Sequence, residues 1–208
     1  FAKPGTGCAA SRGRLWRIGA VLLFALCGAP ASAGEREAIL TDRLRGGWSA
    51  SGTRSLDVSV EGSTLIVRPT DRTRAFAAAS LAAGSGAAVD ARACAWLTFE
   101  INTLGGATGE HRDPSLRVGV SDARLRSRQP FLRRYLRLDT DPTTWQQALV
   151  PLDHVLDRGV RADAVACISF QYAGPAAPFA IRRILLVGDT PAAGDAGGPG
   201  NLLPDASF

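Results

Sequence analysis

Few residues in this chain are of a type and spacing that could do chemistry. There are two histidines, His111 and His154. Neither stands in a recognisable nucleophile–base motif, and no G-x-S-x-G elbow or H-E-x-x-H helix occurs. Asp139 and Asp141 are the one carboxylate pair that could flank a glycosidic bond. They sit beside Pro142 in a turn, where acids are usually solvated or cap the backbone. The cysteines are Cys8, Cys27, Cys94 and Cys167. No C-x-x-C pair and no histidine cluster has zinc-ligand spacing, so no metal and no catalytic residue is expected.

Binding needs less than catalysis: aromatic and polar side chains held on one rigid face. Sugars offer C–H faces that stack on aromatic rings and hydroxyls that hydrogen-bond to Arg, Gln, Asn and carboxylates. Residues 96–102 alternate cleanly. Leu97, Phe99 and Ile101 point one way, and Trp96, Thr98, Glu100 and Asn102 the other. Trp96, Glu100 and Asn102 are therefore candidate ligand residues. Arg117, Arg137 and Gln171, on the corresponding parity of other strands, complete the set, with Tyr135 a same-face neighbour. For Trp96 the competing reading is a ring packed beneath a loop. For the arginines it is a solvated sheet face, with Glu100 pairing to one of them.

These residues lie in a train of short apolar-alternating runs at 56–60, 64–67, 96–102, 116–120, 135–138, 148–152, 167–172 and 179–187. Turn residues separate them, and no helical periodicity intervenes. The pattern predicts an all-β antiparallel sandwich, with Leu97, Phe99, Ile101, Val118, Val150, Ile168, Phe170 and Ile184 in its core. Tyr172 shares the buried parity. The alanine-rich stretch 75–83 favours helix by propensity, but Gly84 and Gly86 end it early, so strand or loop is expected. One helical turn is expected at 153–156.

The ends of the chain bound the domain. Arg12, Arg14 and Arg17 precede a short apolar run at 18–26, then Ala31-Ser32-Ala33. That order predicts a secretory signal peptide over 1–33, too short to span a membrane, and an exported, periplasmic or secreted product. Of the 24 basic residues, Lys3 and three arginines leave with the leader; 20 remain against 19 acids, or +1. Such a balance gives no field for nucleic acid or an anionic membrane, and favours a neutral or weakly charged polysaccharide as partner. Cys94 and Cys167, the mature pair, are either a disulfide or two buried thiols. Residues 188–200 are a Pro/Gly/Ala linker after the 34–187 domain. The apolar restart at 201–208 predicts the first strand of a covalently linked second domain.

Several ordered motifs then converge. An early strand reads Asp42-Arg43-Leu44-Arg45-Gly46-Gly47-Trp48, a middle strand carries Leu97, Phe99 and Ile101, and Trp145 precedes Val150-Pro151-Leu152. Ile168 and Phe170 follow, and Phe179, Ile181 and Ile184 close the domain. This string resembles the galactose-binding-like jelly-roll carbohydrate-binding modules of secreted polysaccharide-acting proteins, and residues 201–208 resemble their opening strand. The resemblance implies a jelly roll, core positions for Trp48 and Trp145, a polysaccharide or oligosaccharide ligand, and a parent protein with a glycoside hydrolase elsewhere. The alternative is a structural sandwich that spaces its neighbours. Relatives carry an acidic pair in the closing strand where this chain has Arg182-Arg183. The structural calcium those acids would hold is thus in doubt here, and no cofactor is expected.

Overall fold

A computed structural model describes residues 36–70, 76–105, 115–124, 127–174 and 176–188. The leader, the linker, the 201–208 restart and His111 lie outside the described residues. Among the described residues ten strands form two antiparallel sheets. The first sheet holds β1 (Arg36–Leu40), β3 (Leu56–Glu61), β4 (Thr64–Pro69), β6 (Trp96–Asn102), β8 (Gln146–Pro151) and β10 (Phe179–Val187). Its order is β3-β4-β10-β6-β8. The closing strand is central: its first half pairs with β4, its second half with β1, and its other edge with β6. The second sheet runs β2 (Trp48–Gly52), β5 (Ala78–Ala83), β9 (Cys167–Tyr172), β7 (Leu116–Ser121). This is the expected all-β jelly-roll sandwich.

Alternation dictates which side chains go inside. Leu97, Phe99 and Ile101 of β6 face Ile168, Phe170 and Tyr172 of β9 across the core, all at most 1 % exposed. Phe99 meets Phe170 edge to face at 5.2 Å between ring centres, and Tyr172 meets Phe179 at 5.6 Å. Such pairs add roughly 0.5–1.5 kcal/mol to the area they bury. Val118, Val150 and Ile184 join them, as expected. The alanine-rich segment is strand: Ala79 and Leu81 point inward beside Phe170 and Ile168, so sheet pairing overrides helix propensity.

Several expectations change. Residues 42–47 form a turn rather than a strand, and Trp48 opens β2, buried, with its indole N–H donating to Ala87 O at 2.9 Å. The run at 135–138 is no strand. A 3-10 turn, Leu132–Arg134, precedes it, and Leu136 and Leu138 bury themselves from an irregular segment. The helical turn is α1, Leu152–Val155. No disulfide joins Cys94 to Cys167. Cys94 precedes β6 and packs at the core margin, whereas Cys167 starts β9 in the other sheet.

Phe99→Ala or Phe170→Ala should each destabilise the fold by about 3–5 kcal/mol in urea melts, and the double variant should cost less than their sum, because the two rings lose one shared contact. Tyr172 adds a pH signature. Burial raises its phenol well above the ordinary value of 10.0. The unfolded chain therefore loses that proton first, so stability is full below pH 10 and falls as pH rises beyond it. Replacing Tyr172 with Phe should flatten that alkaline fall in melting temperature.

Candidate functional site

The six expected ligand residues divide between opposite faces of the sandwich. Trp96, Glu100 and Asn102 lie on the outer face of the β6 sheet; Arg117 and Gln171 lie on the outer face of the β9 sheet. A packed core about 10 Å thick separates the two faces, so no single ligand touches both sets. Arg137 is on neither. It is exposed in the irregular segment, where its carbonyl accepts the Gln146 side-chain amide.

On the β6 sheet the polar groups satisfy one another. A bulge in β10 between Arg182 and Leu185, with Arg183 in the left-handed region (φ 54°), turns two consecutive arginines toward one carboxylate. Glu100 accepts Arg182 Nε at 2.6 Å and Arg183 at 2.8 Å, with only 15 % of its side chain exposed. Its partners are thus the closing-strand arginines rather than Arg117 or Arg137. Trp145, expected in the core, is half-buried instead: the Arg182 guanidinium lies over its ring at 4.1 Å. The residue sits just before β8, outside the inward-pointing Ala148 and Val150. Asn102 is a loop clamp. Its amide nitrogen donates to Pro142 O (2.7 Å) and Thr144 O (2.9 Å), and its oxygen accepts Leu104 N (2.7 Å). Buried and satisfied on both ends, it has nothing left for a ligand. Trp96 is half-buried at the end of β6, opposite Val187 and Pro151, about 13 Å along the strand from Glu100.

The outer face of the β9 sheet is built differently. Register sets its residues in rows. One row runs Ala78, Gln171, Arg117 and on to Phe131, which bridges to Arg117 from the segment beyond β7. The next runs Ser51, Ser80, Ser169 and Gly119; the third runs Ser49, Ala82, Cys167 and Ser121. Small side chains line these rows; at the β7 end Ser127 and Gln129 lie over Gly119, and Cys167 and Ser121 are buried. A Cβ on Gly119 would fall 2.8 Å from Ser127 Oγ and 3.1 Å from Ser169 Oγ, so glycine lets those hydroxyls approach. The guanidinium of Arg117 lies 4.4 Å from the centre of the Phe131 ring and that of Arg133 4.7 Å. Arg117 Nε is buried with no acceptor among the described residues. At the sheet end, Phe76 donates its amide to Tyr172 O (3.1 Å) and exposes 65 % of its surface.

Sequence reasoning missed Phe131, Arg133, Ser80 and Ser169. The serines carried a signal: Ser49 and Ser51, like Ser169 and Gln171, alternate with inward residues at period two. Phe131 carried none, because it follows Pro130 outside any strand and meets β7 through a bridge to Arg117.

Among the described residues, the acids and the thiol weighed for chemistry are held in other roles. Asp141 accepts the amide and hydroxyl of Thr143, and these hydrogen bonds lower its pKa, so it stays ionised and is no proton donor. Asp139 accepts the Asp141 amide. Burial pushes the Cys167 thiol up despite hydrogen bonds with Ser121 and Ser80, the reverse of what a nucleophilic thiolate requires. Among the described residues no group of three His, Cys, Asp or Glu is placed to hold a metal ion.

No protein-family model matches the sequence. No curated protein matches it. Solved structures do. A family 29 carbohydrate-binding module complexed with cellulohexaose is 16 % identical, with 76 % of this chain and 93 % of that one covered, at a TM-score of 0.50. A variant of such a module complexed with mannohexaose is 16 % identical over 74 % and 92 %, also at 0.50. A further variant covers 80 % and 98 %, at 16 % identity and 0.50. The chain has the jelly-roll sandwich fold of these modules.

Asn102→Ala should lower stability by about 2 kcal/mol, since it strands two carbonyls and an amide in a buried turn. Thermal denaturation would read this loss, and a variant as stable as the parent would show that the clamp is dispensable.

Proposed function

We propose that this domain binds a glycan without cleaving it, on the outer face of the β2-β5-β9-β7 sheet. The observation that carries the reading is the contrast between the faces. The polar groups of the β6 sheet are consumed by ion pairs and loop hydrogen bonds. The β9 sheet displays Arg117, Gln171 and a row of serines, with no carboxylate beside them among the described residues. A rigid sheet of forked and hydroxyl donors suits a chain of sugar hydroxyls, since binding freezes little of the protein. The fold adds support, because modules of this architecture have been solved with cellulohexaose and mannohexaose. In this reading the leader over 1–33 exports the chain, and the 188–200 linker joins the domain to a polysaccharide-acting partner domain.

The two faces give opposite results in one experiment. Calorimetry against a panel of oligosaccharides should show binding that Gln171→Ala weakens by about tenfold and that Trp96→Ala leaves unchanged. Loss on Trp96→Ala instead would move the site to the β6 sheet. No binding to any glycan at millimolar concentration would reject the function.

A further inference from the structure

Among the described arginines some are held by carboxylates and several by neither acid nor ring, but two share one aromatic ring. Arg45 is paired with Glu37, Arg92 with Asp90, Arg161 with Asp163, and both Arg182 and Arg183 with Glu100. Each of these has a carboxylate that neutralises the charge and occupies N–H donors. Arg117 and Arg133 are held by the Phe131 ring at 4.4 and 4.7 Å. An aromatic face orients a guanidinium through its quadrupole but supplies no anion and no strong acceptor. Their charge and donors therefore stay unspent. Arg134 follows in the same exposed turn. No carboxylate faces the outer rows of the β9 sheet among the described residues: those rows are Ser49, Ser51, Ser80, Ser169, Gln171 and small apolar positions.

Resting on the glycan-binding reading above, we infer that the sugar chain bound here carries oxyanions, as carboxylate or sulfate substituents. The guanidinium ends of Arg117 and Arg133, held by a ring and not by an acid, suit a planar carboxylate or a sulfate through charge-assisted hydrogen bonds, although Arg117 Nε itself is buried. A neutral hydroxyl would leave the charge uncompensated. The serines and Gln171 then take the ring hydroxyls beside the charged substituent.

The test compares three hexasaccharides on the purified full chain by calorimetry at low and high salt: mannohexaose, hexamannuronate and a sulfated cello-oligosaccharide. At least one anionic ligand should bind about tenfold tighter than mannohexaose at low salt, and that advantage should shrink at 0.5 M salt (roughly a 4 Å screening length). Which anion wins separates carboxylate from sulfate recognition. Arg133→Gln, an exposed position, should reduce the anionic preference several-fold without shifting the melting temperature; Arg117→Lys, which keeps charge but loses the fork, should weaken it as well. Mannohexaose binding as tight as either anion would overturn the inference and leave glycan binding standing. No binding to any of the three, or to neutral glycans generally, would remove the reading beneath it. Equal binding of polyglutamate would overturn the sugar as the occupant. Unchanged anion preference in both arginine variants would overturn the site.

Discussion

Phe99 projects from the middle of one sheet and Phe170 from the middle of the other, and their rings meet edge to face at 5.2 Å. Everything outside the core is placed by that junction. A strand alternates, so once Phe99 and Phe170 face inward, Glu100 and Gln171 must face outward on opposite sides of the molecule. Register then carries the constraint sideways, setting Glu100 beside Arg182 and Gln171 beside Arg117. Slipping either strand by one residue would bury these polar groups and expose the rings.

The two outward faces differ in how far their polar groups are already used. On the β6 side an ion-paired cluster, a stacked tryptophan and a loop clamp make a self-satisfied surface. Such a surface braces the sheet, and the bulge in β10 is part of it: the extra residue lets two arginines share one carboxylate. A left-handed Arg183 costs on the order of 1 kcal/mol or more, which a half-exposed ion pair roughly offsets. On the β9 side a ring holds the arginines in place of an acid, and the small residues Ser, Ala and Gly line the rows. Satisfied polar groups stabilise a fold; oriented and unsatisfied ones recognise a ligand.

Position in the fold also explains the closing strand. Arg182 and Arg183 stand where the resemblance would put acids. In this chain they meet Glu100 across the β6–β10 pairing and leave no acidic cluster for a cation there. Here the arginine pair holds a neighbouring strand.

Strand-level sequence reading reached the core almost residue by residue, because inward positions recur every second residue and burial demands apolar atoms there. Leu97, Phe99, Ile101, Ile168 and Phe170 follow from that periodicity alone. It also found Arg117 and Gln171 as outward partners. It could not tell that Glu100 and Gln171 face opposite ways from the molecule's centre, since parity within a strand says nothing of which sheet the strand joins. The resemblance implied a core place for Trp145, but the residue precedes β8 and its ring lies under the Arg182 guanidinium instead. Phe131, Arg133 and the Asn102 clamp were invisible for a related reason. Each acts through a segment whose position comes from long-range pairing, Phe131 through its bridge to Arg117 and Asn102 through the 142–144 turn. The sequence by itself therefore determined most of the strands, the buried faces of those it found and the all-β class, all of which rest on local alternation. Only the tertiary structure decided which outward faces coincide and which arginines keep their charge, because both depend on strand partners far apart in the chain.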